Sequence, residues 1–435
     1  MKIQKLAVAA CSCGRNHQIP IREVVIAPDL LSVLDKKLAG LGAWGKLLLV
    51  ADENTWSAAG AQVEKTLAGK YSIGKAILPA GFKPDEESVD AVLSSSATSP
   101  DLLLAVGSGT ITDLVRYIAA NKWEIPFISI PTAPSMDGYA STVSAMTFKG
   151  FKVTKPARPP LAIYGDLTIL SRAPRRLVSA GAADLLGKYT ALSDWILARE
   201  LEGEYYCPYI ASLVREAADN CSKDIAAIRE GQEGVIAKLT EGLILSGIGI
   251  LMAGNSRPAS GSEHHLAHFW ELKEQLKGGK EHLHGEKVAV GSVLSAKAYR
   301  FFLEQDPDQL SFRFNWRTQG LGWEEYEQRL TEVYGPLAGE LPIMQAAPPT
   351  NQPSAPNFSD RLASARFNVK PPDVRTIEER LRASGAPATY QNLELPKKWV
   401  EEALLYGWEV RDRYTIFTLL ARLGLLRQAA DEILA

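Results

Sequence analysis

Apolar residues follow two regimes along the chain. Between residues 23 and 165 they form short runs at 23–26, 46–51, 73–78, 101–106 and 127–130, each the length of a buried strand. Helical spacing fills the intervals at 30–38, 58–67, 88–93 and 111–120. That alternation predicts an α/β domain with a mainly parallel sheet. Beyond about residue 166 the strand-like runs stop, and long helical patterns take over at 180–201, 211–229, 234–252, 262–276 and 286–303. A second, all-α domain is therefore expected, with the division at 1–165 and 166–435. Residues 346–356 carry four prolines and read as an exposed loop, after which residues 399–434 resume a helical pattern. No internal repeat is present.

The chain has 435 residues, enough for two or three domains at roughly 150 residues each. With 46% hydrophobic and 23% charged residues it is not a disordered or fibrous chain. Lys+Arg 48 against Asp+Glu 50 leaves −2, so no basic excess points to nucleic acid or a membrane surface. The longest uncharged apolar stretch, 242–254, is shorter than the roughly 18 residues of a membrane span, and none is expected. Val8-Ala9-Ala10-Cys11 has the form of a lipoprotein cleavage site, but the apolar region before it covers only 6–10, so the expected location is cytoplasmic. Four cysteines, two of them in Cys11-Ser12-Cys13, do not make a disulfide scaffold. With His17 they could instead bind a metal, although C-x-C spacing is cramped.

Candidate chemistry lies where strands end. After 102–106 comes Gly107-Ser108-Gly109-Thr110-Ile111-Thr112-Asp113, running straight into a helix. Two glycines let a backbone approach a phosphate, and the helix N-terminus adds partial positive charge. Thr112 stands where a dinucleotide fingerprint has its third glycine, so the motif also reads as a tight turn without a ligand. Asp52, at the end of the run 47–51, suits an adenosine ribose or a helix cap equally well. The loop Pro131-Thr132-Ala133-Pro134-Ser135-Met136-Asp137-Gly138-Tyr139-Ala140-Ser141 is rich in hydroxyls; Asp137 could bond substrate hydroxyls or form an Asx-turn with Gly138.

Five of the six histidines fall between 264 and 284. His264 and His268, four apart, share one helical face, while His265 points about 100° away. His284 begins the next helical pattern. With Asp184, an acid among small apolar residues, these imidazoles could hold zinc, nickel or iron with one position open. Otherwise they are core or cap residues, and Asp184 pairs with Lys188. Ser256-Arg257-Pro258-Ala259-Ser260-Gly261-Ser262 joins hydroxyls, an arginine and a helix N-terminus, which could take a phosphate or simply cap the helix.

These residues, in this order, resemble the bacterial sn-glycerol-1-phosphate dehydrogenases, a branch of the iron-containing alcohol dehydrogenase and dehydroquinate synthase superfamily. Besides the motifs above, the resemblance includes Ala51-Asp52-Glu53-Asn54-Thr55, Asp184-Leu185-Leu186, His284-Gly285-Glu286 and Val410-Arg411-Asp412-Arg413-Tyr414-Thr415. It implies an N-terminal NAD(P)-binding domain, a helical C-terminal domain and a metal in the cleft between them. Asp184, His264 and His284 match the metal ligands. Asp137, Asp184 and His268 match substrate contacts, with Arg257 and nearby hydroxyls beside the phosphate. Asp52, Gly107, Ser108, Gly109, Thr110, Ile111, Thr132, Ser135 and Ser141 match the cofactor contacts. Ala183 departs from the glycine that relatives usually place before the metal aspartate, and its methyl could crowd the site.

The implied reaction is hydride transfer from NADH or NADPH to the C2 carbonyl of dihydroxyacetone phosphate, giving sn-glycerol 1-phosphate. One divalent metal, zinc, nickel or iron, would polarise that carbonyl, and His268 or a metal-bound water would supply the proton. The alternatives are a glycerol dehydrogenase-like polyol dehydrogenase, a dehydroquinate-synthase-like lyase and a non-catalytic binding protein. Metal identity, NAD against NADP and homo-oligomerisation stay open.

Overall fold

The computed structural model describes residues 1–148, 151–278, 281–313, 316–346 and 357–435. Most of the proline-rich loop expected at 346–356 lies outside them. Contacts divide the chain into two compact units: one contains Met1–Leu185 and Ser212–Ser256, the other Leu186–Ala211 and Arg257–Ala435. The last strand of the six-stranded sheet ends at Asp166, and the contacts place the helix Glu233–Ala253 in the first unit.

The first unit is built on six parallel strands: β1 (Glu23–Ala27), β2 (Lys46–Asp52), β3 (Ser72–Leu78), β4 (Leu102–Gly107), β5 (Phe127–Pro131) and β8 (Ala162–Asp166), in the order β1-β8-β5-β4-β2-β3. Two further strands, β6 (Val143–Phe148) and β7 (Phe151–Pro156), form a separate antiparallel pair. Alternate residues serve opposite faces. Leu47, Leu49, Leu102 and Leu104 enter one apolar layer, and Leu48, Val50, Leu103 and Ala105 the other. A parallel sheet covered on both faces needs such continuous apolar runs, which is why the runs of β2 and β4 stand out in the sequence.

After β3 the chain returns past β2 to lay down β4, so the direction of strand addition reverses between β2 and β4. Ligands of open α/β sheets bind at such a reversal, beyond the carboxyl ends of the strands. Asp52 and Gly107 are the terminal residues of those two strands.

The second unit is helical among the described residues. Its helices Ser262–Lys277 and His284–Glu304 pack against each other over a core that includes Leu266, Phe269, Trp270 and Tyr299. The single helix expected at 180–201 is two, Arg175–Leu186 and Lys188–Glu202, separated at Gly187. Thr190 Oγ1 donates to the Gly187 carbonyl at 2.8 Å, one turn into the second helix. The apolar stretch at 242–254 belongs to a longer helix, Glu233–Ala253, whose length and composition would allow a membrane span; 72% of its apolar window is buried in the protein, as in a core helix.

Candidate active site

The turn after β4 packs tightly. A Cβ on Gly107 would lie 2.6 Å from Ile111 Cβ, and one on Gly109 would lie 3.2 Å from Met136 Cε. Ser108 precedes the helix Gly109–Asn121, leaving that helix's first N–H groups at the sheet's carboxyl edge. Thr112, in place of the third glycine, turns its hydroxyl back onto the Ser108 carbonyl at 2.9 Å. Thr132 donates its N–H to the Gly107 carbonyl at 3.3 Å, tying the β5 loop to this turn. Ser135 sits in that loop, and Ser141 Oγ accepts from the Val143 N–H at 3.0 Å. Asp52 caps the helical turn after β2: Oδ1 accepts from the Thr55 N–H at 2.7 Å, and the Asp52 N–H donates to Thr55 Oγ1.

Arg116 belongs with this group, although its position gave no signal in the sequence. Fully buried, it pairs with Asp113 at 2.5 Å and donates to the carbonyls of Val143, at 3.0 Å, and Gly138. It thereby fastens the helix Gly109–Asn121 to the loop that carries Asp137.

That loop is gripped by two helices of the same unit. A Cβ on Gly181 would lie 1.8 Å from the Pro134 carbonyl oxygen, and one on Gly247 would lie 2.4 Å from that of Asp137. The close approach brings Asp137 to Asp184, whose Oδ2 accepts the Asp137 N–H at 3.0 Å. Asp137 Oδ2 accepts from Ser246 Oγ at 2.9 Å. Asp184 is buried, as is Ala183 beside it.

In the second unit, His264, His268 and His284 face one another with ring centroids 5.1–6.0 Å apart. Each Nδ1 meets a carboxylate: His264 meets Glu263 at 2.7 Å, while His268 and His284 meet the two oxygens of Glu271 at 3.0 and 2.8 Å. A carboxylate on Nδ1 fixes the ring and its tautomer and leaves Nε2 as the ligating or substrate-facing atom. Glu271 stands three residues after His268, a spacing that could have flagged it. Glu263 adjoins His264 within the quoted motif; its role becomes legible only when Thr190 Oγ1 and the Gly261 N–H are seen to hold it. His265 is fully buried on the far face, as its 100° offset requires.

The helix N-terminus at Ser262, expected to receive a phosphate, is filled by the chain's own acids. Asp194 Oδ2 takes the Ser262 N–H at 2.6 Å, and Glu263 Oε1 takes that of Gly261 at 2.7 Å. Burial lifts Asp194 to about 6. Arg257 is also engaged: its guanidinium forks onto Glu204, with Nε to Oε1 at 2.6 Å, and donates to the Tyr414 carbonyl at 2.8 Å.

The arginine charge nevertheless collects here. Arg413 is pushed down to about 9, first by burial and then by the positive charges of Arg411 and Arg257. His268 lies well below the usual imidazole value because of burial and the nearby Arg411 charge. It is neutral at pH 7.

Residues 25–174 match the family described as iron-containing alcohol dehydrogenase. Among solved structures, the chain resembles glycerol dehydrogenase from Schizosaccharomyces pombe, with TM-score 0.61 and 14% identity over 95% of this chain and 90% of that one. A 1,3-propanediol oxidoreductase gives TM-score 0.61 and 16% identity over 95% of this chain and all of that one. These likenesses concern the fold. In sequence, the chain is 33% identical to the glycerol-1-phosphate dehydrogenase [NAD(P)+] of Bacillus licheniformis, over 97% of this chain and 94% of that protein. It is 40% identical to the Bacillus subtilis enzyme of that name, over 85% and 83%. The Pyrococcus furiosus enzyme is 29% identical over 94% and 96%. Such identity along nearly the whole length means that the chain belongs to the glycerol-1-phosphate dehydrogenase family.

Proposed function

We propose that the chain reduces dihydroxyacetone phosphate to sn-glycerol 1-phosphate with NADH or NADPH and a divalent metal. Family membership supports the reaction. The observation that carries the substrate class is the coupled positive charge of Arg257, Arg411 and Arg413 beside His268. Each arginine also has partners in the protein: Glu204 pairs with Arg257, Arg413 Nη1 donates to the Ser260 carbonyl at 2.8 Å, and the Glu271 and Glu263 carboxylates act on Arg411 and Arg413. In this reading Arg257, Arg411 and Arg413 together supply the positive charge that draws a phosphate dianion.

Asp184, His264 and His284 are the proposed metal ligands, and the donor chemistry fits: one buried carboxylate and two imidazoles whose Nδ1 atoms already face Glu263 and Glu271. Zinc, nickel and iron all suit that set. The cofactor contacts are Asp52 and Gly107, Ser108, Gly109, Thr110 and Ile111 at the strand-order reversal, with Thr132, Ser135 and Ser141 on the adjoining loop. Bound there, the metal supplies Lewis acidity and the nicotinamide supplies the hydride.

The chain's residues handle position and proton. Asp137 accepts from a substrate hydroxyl. His268 Nδ1 faces Glu271, so Nε2 is the atom that exchanges a proton with the C2 oxygen. In the oxidation direction, neutral His268 takes that proton and Glu271 stabilises the imidazolium; reduction is the reverse.

The test is NADH and NADPH oxidation with dihydroxyacetone phosphate, after chelation and metal readdition. Metal-restored turnover, with the product oxidised as sn-glycerol 1-phosphate in preference to its 3-phosphate enantiomer and to glycerol, is expected. A preference for glycerol that survives Arg411→Gln would overturn the phosphate reading.

A further inference from the structure

The N-terminal segment carries a group of metal-type donors unused by the reaction. Val8 and His17 form an antiparallel bridge, with N–H···O distances of 3.0 and 2.8 Å, that closes a small loop. Inside it the Cys11 N–H donates to the Arg15 carbonyl and the Gly14 N–H to the Cys11 carbonyl. Gly14 has φ +82°, the left-handed conformation the reversal requires, with no heavy atom within 4 Å of its would-be Cβ. The glycine is there for conformation, not for space.

This loop turns Cys11, Cys13 and His17 toward one point. Their donor atoms all lie within 4.8 Å of one another, and neither thiol is in a disulfide. His17 is buried, and its Nδ1 lies 3.1 Å from the Met252 carbonyl, so Nδ1–H donates there and Nε2 keeps its lone pair. Nε2 lies 3.2 Å from Cys13 Sγ. Across a tetrahedral zinc, with Zn–S about 2.3 Å and Zn–N about 2.0 Å, sulfur and nitrogen stand roughly 3.5 Å apart. A simple S–H···N hydrogen bond would explain that one contact. It would not require a second thiol at the same point, nor an imidazole whose other nitrogen is fixed by a carbonyl, the usual arrangement around a metal-bound histidine.

We propose that Cys11, Cys13 and His17 hold a structural zinc ion, distinct from the metal of the reaction. Two thiolates and an imidazole are soft enough to select zinc over magnesium or calcium, and one further donor completes the tetrahedron. Met252 is the penultimate residue of the helix Glu233–Ala253, and its carbonyl is one of the four that a helix end leaves without an intrahelical partner. His17 occupies it. The ion would thus lock the N-terminal loop onto the end of the longest core helix of its unit.

The experiment measures metal in the purified full chain by elemental analysis, beside spectroscopy of cobalt-reconstituted protein. Wild type should carry one zinc per chain that His264→Ala retains, and Cys13→Ser and His17→Ala should each lose that equivalent. Cobalt-loaded wild type should show thiolate-to-cobalt charge-transfer and tetrahedral d–d bands. Because the cobalt spectrum is taken on wild type, it decides the matter even if both variants fail to fold. No such bands, or an unchanged zinc count in Cys13→Ser, would overturn the proposal. So would a Cys11–Cys13 disulfide in freshly purified protein. Failure of the dehydrogenase reading would leave these readouts unaffected, since none depends on turnover.

Discussion

The backbone N–H of Asp137 donates to Oδ2 of Asp184 at 3.0 Å. A main-chain donor survives any change of the Asp137 side chain, so the two acids are separable by mutation. Asp137→Ala should keep the full metal complement and raise the Michaelis constant for dihydroxyacetone phosphate. Asp184→Ala should lose most bound metal and most turnover. Elemental analysis beside steady-state kinetics distinguishes them, and metal loss in Asp137→Ala would remove its assignment to substrate.

Glu271 touches two imidazoles at once, so its effect should exceed that of an ordinary outer partner. Glu271→Gln should weaken metal binding about 10–100-fold, the range for groups that orient metal-bound histidines. His268→Ala should instead retain the metal while losing turnover. Competition with a calibrated chelator measures both.

At the proposed cofactor turn, Gly109→Val would place methyl groups against Met136, 3.2 Å from the glycine's would-be Cβ. The Michaelis constant for NAD(P)H should rise while metal content stays full. Fluorescence titration of NADH reads it directly, and unchanged affinity would leave the turn a purely structural device.

Arg413 lends its charge to the proposed phosphate site, and a guanidinium keeps that charge across the assay range. In the oxidation assay Arg413→Gln should raise the Michaelis constant for glycerol 1-phosphate, by roughly 1.5–3 kcal/mol if one charge-assisted hydrogen bond is lost, with the metal complement intact. Steady-state kinetics beside elemental analysis measures it, and an unchanged Michaelis constant would remove Arg413 from the phosphate site.

Glu409, buried and hydrogen-bonded to Tyr326 at 2.8 Å, is pushed up to about 7 by burial. A carboxyl raised above its unfolded value binds its proton more tightly in the native state, so stability falls as pH rises from about 4.5 to 7 and then levels. The cost approaches about 3 kcal/mol as an upper bound. Glu409→Gln resembles the protonated form and should raise the melting temperature at pH 8 but barely at pH 5.

Much of this was legible in the residue pattern because it rests on local chemistry. The runs of β2 and β4 are buried on both faces and read continuously, and His264 and His268 share a face by helical period alone. What escaped depends on distant partners. β8 is a short run whose strand character comes from lying between β1 and β5. The β6–β7 pair lies outside the sheet and lacks its continuous apolar signal. Arg116 resembles any exposed helical cation until the carbonyls of Gly138 and Val143 are found around it. The helix end at Ser262 advertised an anion site, but Asp194, distant in sequence, had already filled it.

The fit of Gly181 against Pro134 bears on the substitution next to the proposed metal aspartate. At 100° per residue, position 183 lies about 200° around the helix from position 181, so the methyl of Ala183 projects away from the loop that Gly181 grips. The helix therefore tolerates change unevenly around its circumference. Position 183 carries a buried methyl, while any side chain at 181 would push the backbone carrying Ser135 and Asp137 out of register with both of its duties.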